Sequence, residues 1–87
     1  PAIAEADGKY AKVASDVLVA VGGKENVKNV DFCATRLRFE VNDGSKVDED
    51  GCKKAGALGV VKPSDNTVQV VIGVQVQAVF DELEKLL

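Results

Sequence analysis

The chain holds 87 residues, enough for one small domain and too few for two. With 46% hydrophobic and 29% charged residues it reads as globular rather than disordered. A net charge of −3 disfavours a general nucleic-acid surface, and no apolar run approaches the roughly 20 residues of a membrane span.

There are two cysteines, Cys33 and Cys52, and no histidine. A Ser-His-Asp triad or a Cys-His pair is therefore impossible within this chain. Structural zinc would need about four N or S ligands and is not expected. Two cysteines allow a disulfide by count, but nothing marks the chain as secreted. No methionine occurs, even at the start, so the chain is expected to be a piece of a longer protein.

Residues 1–7 are small and weakly patterned and are expected to be frayed, with the domain over 8–87. Tyr10, Val13, Ala14, Val17, Leu18 and Val21 recur at spacings of three and four, which predicts a helix over about 8–21. Asp7 is its candidate N-cap, and Gly22-Gly23 stops it. After a polar turn at 24–28, a short strand is expected over 29–33. Residues 36–42 alternate, with Leu37, Phe39 and Val41 on one face and Arg36, Arg38, Glu40 and Asn42 on the other. That is a strand with one wet face. Only Ala34 and Thr35 separate the two strands, which predicts a hairpin. Ala-Thr is poor chemistry for a tight two-residue turn, so a wider connection is foreseen.

Asn42-Asp43-Gly44-Ser45 reads as a turn, and Asp48 caps a short helix over about 48–55. Its inward positions are Val47, Cys52 and Ala55. Residues 58–62 and 67–72 read as two strands joined across Pro63-Ser64-Asp65-Asn66. Val76, Val79, Phe80, Leu83, Leu86 and Leu87 then form the apolar stripe of a last helix. The order is αββαββα. Each strand pair is a hairpin and each helix has one apolar stripe. The economical solution is an α+β two-layer sandwich: a four-stranded antiparallel sheet with three helices on one face. The other face, with Arg36 and Arg38, is open.

In this hairpin Cys33 faces the start of the strand that carries Arg36 and Arg38 on one side. A thiol beside guanidinium groups is acidified, because positive charge favours the nucleophilic thiolate. Guanidiniums are also planar forks that suit phosphate oxygens. The Thr35 hydroxyl and the turn's backbone N–H groups add donors. Phosphoryl transfer asks for placement and charge neutralisation, which this cluster offers. The plainer reading is a cysteine buried as a small hydrophobe, with arginines that keep an open face soluble. Cys52 is assigned that plainer role, as core filler. A protein-tyrosine-phosphatase loop is rejected, since its arginine would fall at Phe39.

The run GGKENVKNVDFCATRLRFEVND resembles the phosphorylation-site region of enzyme IIB domains of the bacterial phosphoenolpyruvate-dependent sugar phosphotransferase system. Its C-x-T-R-L-R core is similar to the glucose, sucrose and beta-glucoside superfamily. The likeness continues through SKVDED, AGALGVV and VQVVIG to the last helix. GGKEN followed by CATRLRF resembles the sucrose, beta-glucoside and trehalose branch most, although the position before the cysteine, often histidine there, is Phe32.

The resemblance implies a protein-cysteine phosphotransferase with the sandwich fold derived above. Cys33 would attack a phosphohistidine of enzyme IIA, become phosphocysteine, and pass the group to a sugar held by the membrane domain IIC. Arg36 and Arg38 match the motif arginines and would neutralise the phosphoryl oxygens, and Thr35 would donate a hydrogen bond. No cofactor and no nucleic acid are implied. The domain would sit at the cytoplasmic face of the cell membrane, a monomer when isolated. Two other readings remain at this point: a non-catalytic small-ligand or interaction module with a buried Cys33, and an RNA-binding sheet. The second needs aromatics on the open face, whereas Tyr10, Phe39 and Phe80 fall on core faces.

Overall fold

The computed structural model describes residues 2–87, with side chains from residue 9 onward. The first helix, α1, spans Ala2–Ala20, so its backbone starts earlier than the Asp7 cap implied. The fraying expected at residues 1–7 concerns residues outside those fully described. Next comes a 3-10 turn at Lys24–Asn26, then β1 (Val27–Phe32) and β2 (Arg36–Val41). A second 3-10 turn, Gly44–Lys46, leads to α2 (Glu49–Ala55). Strands β3 (Gly59–Ser64) and β4 (Thr67–Val71) and helix α3 (Val76–Leu86) complete the chain.

The sheet order is β1-β2-β4-β3, and all pairs are antiparallel. The helices cover the face that carries Leu37, Phe39, Val41, Val68 and Val70, each 2% exposed or less. Against it α1 buries Ala14, Val17 and Leu18, with Val21 just past its end, α2 buries Cys52, and α3 buries Val76, Val79 and Leu83. These are the stripes read from spacing, so the hydrophobic effect selects the layer arrangement. Leu86 and Leu87 are the exception. Both are exposed, at the end of the chain where α3 stops.

The element edges differ in physically clear ways. β1 starts two residues earlier than its polar composition suggested, and its register slips between Val27 and Asn29 at a bulge. Pro63 and Ser64, expected in a turn, lie in β3. β3 is an edge strand, where a proline costs no ladder bond, and its register slips between Val61 and Ser64. The turn shrinks to Asp65-Asn66. Asp48 caps α2 as expected, its Oδ1 accepting from the Gly51 N–H at 3.0 Å. α2 ends at Gly56, where φ is +125°. The Ala57 N–H donates to the Cys52 carbonyl and the Gly56 N–H to that of Lys53, a left-handed cap that turns the chain into β3.

Candidate functional site

The site lies where β1 hands over to β2. A single backbone bond closes this hairpin, from the Cys33 N–H to the Arg36 carbonyl at 2.9 Å. Neither Ala34 nor Thr35 has positive φ, so the mirror-image turn is absent, yet the Cys33–Arg36 bond leaves only Ala34 and Thr35 between the bonded residues rather than the wider connection foreseen. Cys33, Ala34 and Thr35 are all exposed. Among the described residues, the Ala34 and Thr35 N–H groups, the Thr35 hydroxyl and the Cys33 thiol have no hydrogen-bond partner. The tip is nonetheless held from one side. The Thr35 carbonyl accepts from the N–H of Ile72 at 2.8 Å and of Gly73 at 2.9 Å.

Arg36 and Arg38 stand on the open face of β2, Arg36 half-buried and Arg38 exposed. The ladder puts Arg38 between Asp31 on β1 and Gln69 on β4. Arg36 pairs with Val71, yet its guanidinium leans one step along the sheet to Gln69, donating to Oε1 at 2.8 Å. Arg38 makes no hydrogen bond or ion pair among the described residues. A shallow depression of about 430 Å³ beside it takes in Asp31, Glu40 and Gln69, but not Cys33. The thiol therefore sits on a projection, suited to meeting another surface rather than enclosing a small molecule.

The four residues singled out from the sequence, Cys33, Thr35, Arg36 and Arg38, thus fall on the hairpin tip and the strand it feeds. Gln69 was missed. Its alternation with Val68 and Val70 put it on the open face, but only the β2-β4 neighbourhood brings it to the arginines. Phe32, at the position before the cysteine, points to the helix side and packs on Phe80, ring centroids 4.6 Å apart. Whatever occupies position 32 braces the strand from beneath.

Cys52 is the contrast. It is fully buried under α1, and burial pushes its thiol up to about 11, with the carboxylates of Asp48 and Glu49 adding to the rise. No group of three or more metal-ligating side chains occurs among the described residues. Nor is any described helix long and apolar enough to cross a membrane.

Fold and site together define a class: a small open-faced α+β sandwich that displays an accessible thiol at a hairpin tip, with two arginines on the open face of the strand that follows. The comparisons with known proteins agree on which such class. The family described as "phosphotransferase system, EIIB" matches residues 15–48. The N-acetylglucosamine-specific EIICBA component of Klebsiella pneumoniae is 43% identical over 86% of this chain and 12% of its own length. The EIICB component of the same specificity from Bacillus subtilis is 52% identical over 77% of this chain and 15% of its own. A solved structure, one domain of the PTS system IIabc component from Clostridium difficile, superposes with a TM-score of 0.82 at 31% identity. That match covers 91% of this chain and 83% of that one.

The chain belongs to the EIIB family of the phosphotransferase system. It spans only 12–15% of the length of these curated relatives. The relatives carry N-acetylglucosamine in their names rather than the sucrose, beta-glucoside or trehalose expected from the GGKEN and CATRLRF segments.

Proposed function

We propose that residues 8–87 form a phosphoryl carrier in which Cys33 holds the group between two partners. The thiolate attacks the phosphorus of a phosphohistidine on enzyme IIA. The S–P bond forms as the P–N bond breaks, and the histidine keeps the electron pair. A hydroxyl of a sugar bound by the membrane domain IIC then attacks the same phosphorus. The P–S bond breaks, the thiolate is regenerated and the hydroxyl proton passes to a base on IIC. Arg36 and Arg38 counter the charge on the phosphoryl oxygens. The Ala34 and Thr35 N–H groups and the Thr35 hydroxyl offer further donors at the tip.

One observation carries this reading: Cys33 is exposed at the hairpin tip while its neighbouring donors have no partner among the described residues. The alternative of an interaction module required a buried Cys33, and that premise fails. The RNA-binding sheet loses its support as well. Tyr10, Phe32 and Phe80 pack against the core, and Phe39 is 2% exposed within it.

The relatives' names combine EIIB with EIIC, and some also with EIIA, which supports those domains as partners. They also make N-acetylglucosamine the first sugar to assay, and they support a place at the cytoplasmic face of the membrane for this domain. The test is transfer from phosphoenolpyruvate through the general carriers and IIA. Wild-type protein takes one phosphoryl group, labile as a thiophosphate, and gives it up to sugar when IIC membranes are added. Label retained by Cys33→Ser at the wild-type level contradicts the proposal.

A further inference from the structure

We infer that Ile72 and Gly73 are positioning residues for the transfer loop, acting through their backbone N–H groups on Thr35. This rests on the proposal that Cys33 carries the phosphoryl group. Two successive N–H groups converge on the Thr35 carbonyl, at 2.8 and 2.9 Å. On its other side, one bond from the Cys33 N–H to Arg36 closes the hairpin. Outside the strand ladders, the backbone bonds that reach the Thr35 carbonyl both come from the chain leaving β4. The peptide between Thr35 and Arg36 sets where the Thr35 hydroxyl points and where Arg36 begins. The tip has no positive-φ residue and one closing backbone bond of its own, so this outside hold adds to what fixes its shape.

Gly73 makes the double bond to one oxygen compatible with the path of the chain. Its φ is +106°, in the region L side chains rarely adopt. The chain delivers the second N–H and at once turns away toward α3. A Cβ there would meet Gln75 Oε1 at 3.4 Å and Leu58 Cδ1 at 3.8 Å, ordinary contacts. The constraint on Gly73 is thus dihedral rather than spatial. A side chain with L configuration pulls φ away from +106° and shifts the N–H off the Thr35 carbonyl, while the core below stays packed. Displacing donors around a reacting group by a fraction of an ångström lowers the rate without removing any chemical group.

This dihedral origin makes the test sharp. Gly51-Cys52 is a convenient ligation junction, so residues 52–87 are made by synthesis and joined to recombinant 1–51. Three proteins are compared: Gly73→Ala with L-alanine, Gly73→Ala with D-alanine, which favours positive φ, and glycolate at 73, an ester that replaces the N–H by an oxygen and leaves the side chain and φ unchanged. Phosphorylation by phospho-IIA is followed at saturating donor. The L-alanine and ester proteins are expected to be slower by about ten-fold or more, with the KM for IIA unchanged. The D-alanine protein is expected to stay within about two-fold of wild type, its φ preference being met. A wild-type rate in the ester protein, or a D-alanine protein as slow as the L form, overturns the inference. If the L-alanine protein fails to fold, the D-alanine and ester proteins decide. Cys33→Ser, run alongside, reports separately on whether Cys33 is the carrier at all.

Discussion

The two ends of the β1-β2 pair are built to opposite rules. At the end near Val27 and Val41, the polar groups are tied inward. Asn26 is 3% exposed, its Nδ2 donating to the carbonyls of Val21 at 2.7 Å and Asp43 at 3.0 Å. Its Oδ1 accepts from the Asp43 N–H at 2.9 Å. Asn66 crosses from the β3-β4 turn, Nδ2 donating to the carbonyls of Val41 and Asn42, each at 3.2 Å. Gly44 packs there against the Asp65 carbonyl so closely that no Cβ would fit. At the other end the Thr35 carbonyl is held, while the tip's thiol, hydroxyl and two N–H groups are left without partners among the described residues. One end spends its hydrogen bonds on the fold, and the other leaves its donors without protein partners among the described residues.

The largest expected effect breaks the open end alone. Cys33→Ser is expected to abolish phosphoryl acceptance while leaving the melting temperature unchanged, as the side chain is exposed and outside the core. Calorimetry beside the transfer assay checks both halves.

Arg38→Ala follows. It is expected to slow transfer by roughly 10²-fold, the scale of removing one preorganised charge partner, again with no change in melting. Gln69→Leu removes the acceptor that holds Arg36, and a smaller loss of about ten-fold is expected, because the guanidinium remains but is no longer aimed. If both variants matched wild type, the open face would be solvating surface and nothing more.

Asn26→Ala attacks the tied end. It leaves the Val21 and Asp43 carbonyls and the Asp43 N–H short of a buried partner, a cost of about 2–3 kcal/mol. Melting is expected to fall by roughly 10 °C, while the transfer rate per folded molecule at low temperature stays as it was. Stability loss without loss of rate, against rate loss without stability loss, is the signature that separates the two ends.

The smallest effect comes from Cys52. Its thiol is raised from 9.0 to about 11 in the folded chain, so it stays protonated there while the unfolded chain releases the proton. The stabilisation is full below about pH 9 and is lost between about pH 9 and 11, a change of about 3 kcal/mol at most. Cys52→Ala is expected to flatten that part of the stability profile. In native protein at neutral pH a small thiol reagent is expected to label Cys33 and to spare Cys52 until denaturant is added.

The sequence revealed more of the fold than of the site. Apolar spacing marked the inward faces of α1 and α3, and strict alternation marked β2, because burial acts on single residues and leaves a local trace. The Asp48 cap was legible for the same reason. Pro63 misled because a proline reads as a turn until the strand is known to lie at an edge. Gln69 and the Ile72-Gly73 clamp were hidden for another reason. They act on residues more than thirty positions away, through a strand order that hairpin logic leaves open. The family resemblance named Cys33, Thr35, Arg36 and Arg38, and the structure adds what holds the Thr35 carbonyl and the Arg36 guanidinium.

The most direct measurement is mass spectrometry of the intact and digested domain after incubation with phosphoenolpyruvate and its upstream carriers. One added phosphoryl group is expected, on the peptide containing Cys33 and on its sulfur, lost when sugar and IIC membranes are supplied. A phosphoryl group found on Thr35, on Cys52 or on no side chain under those conditions would contradict the account.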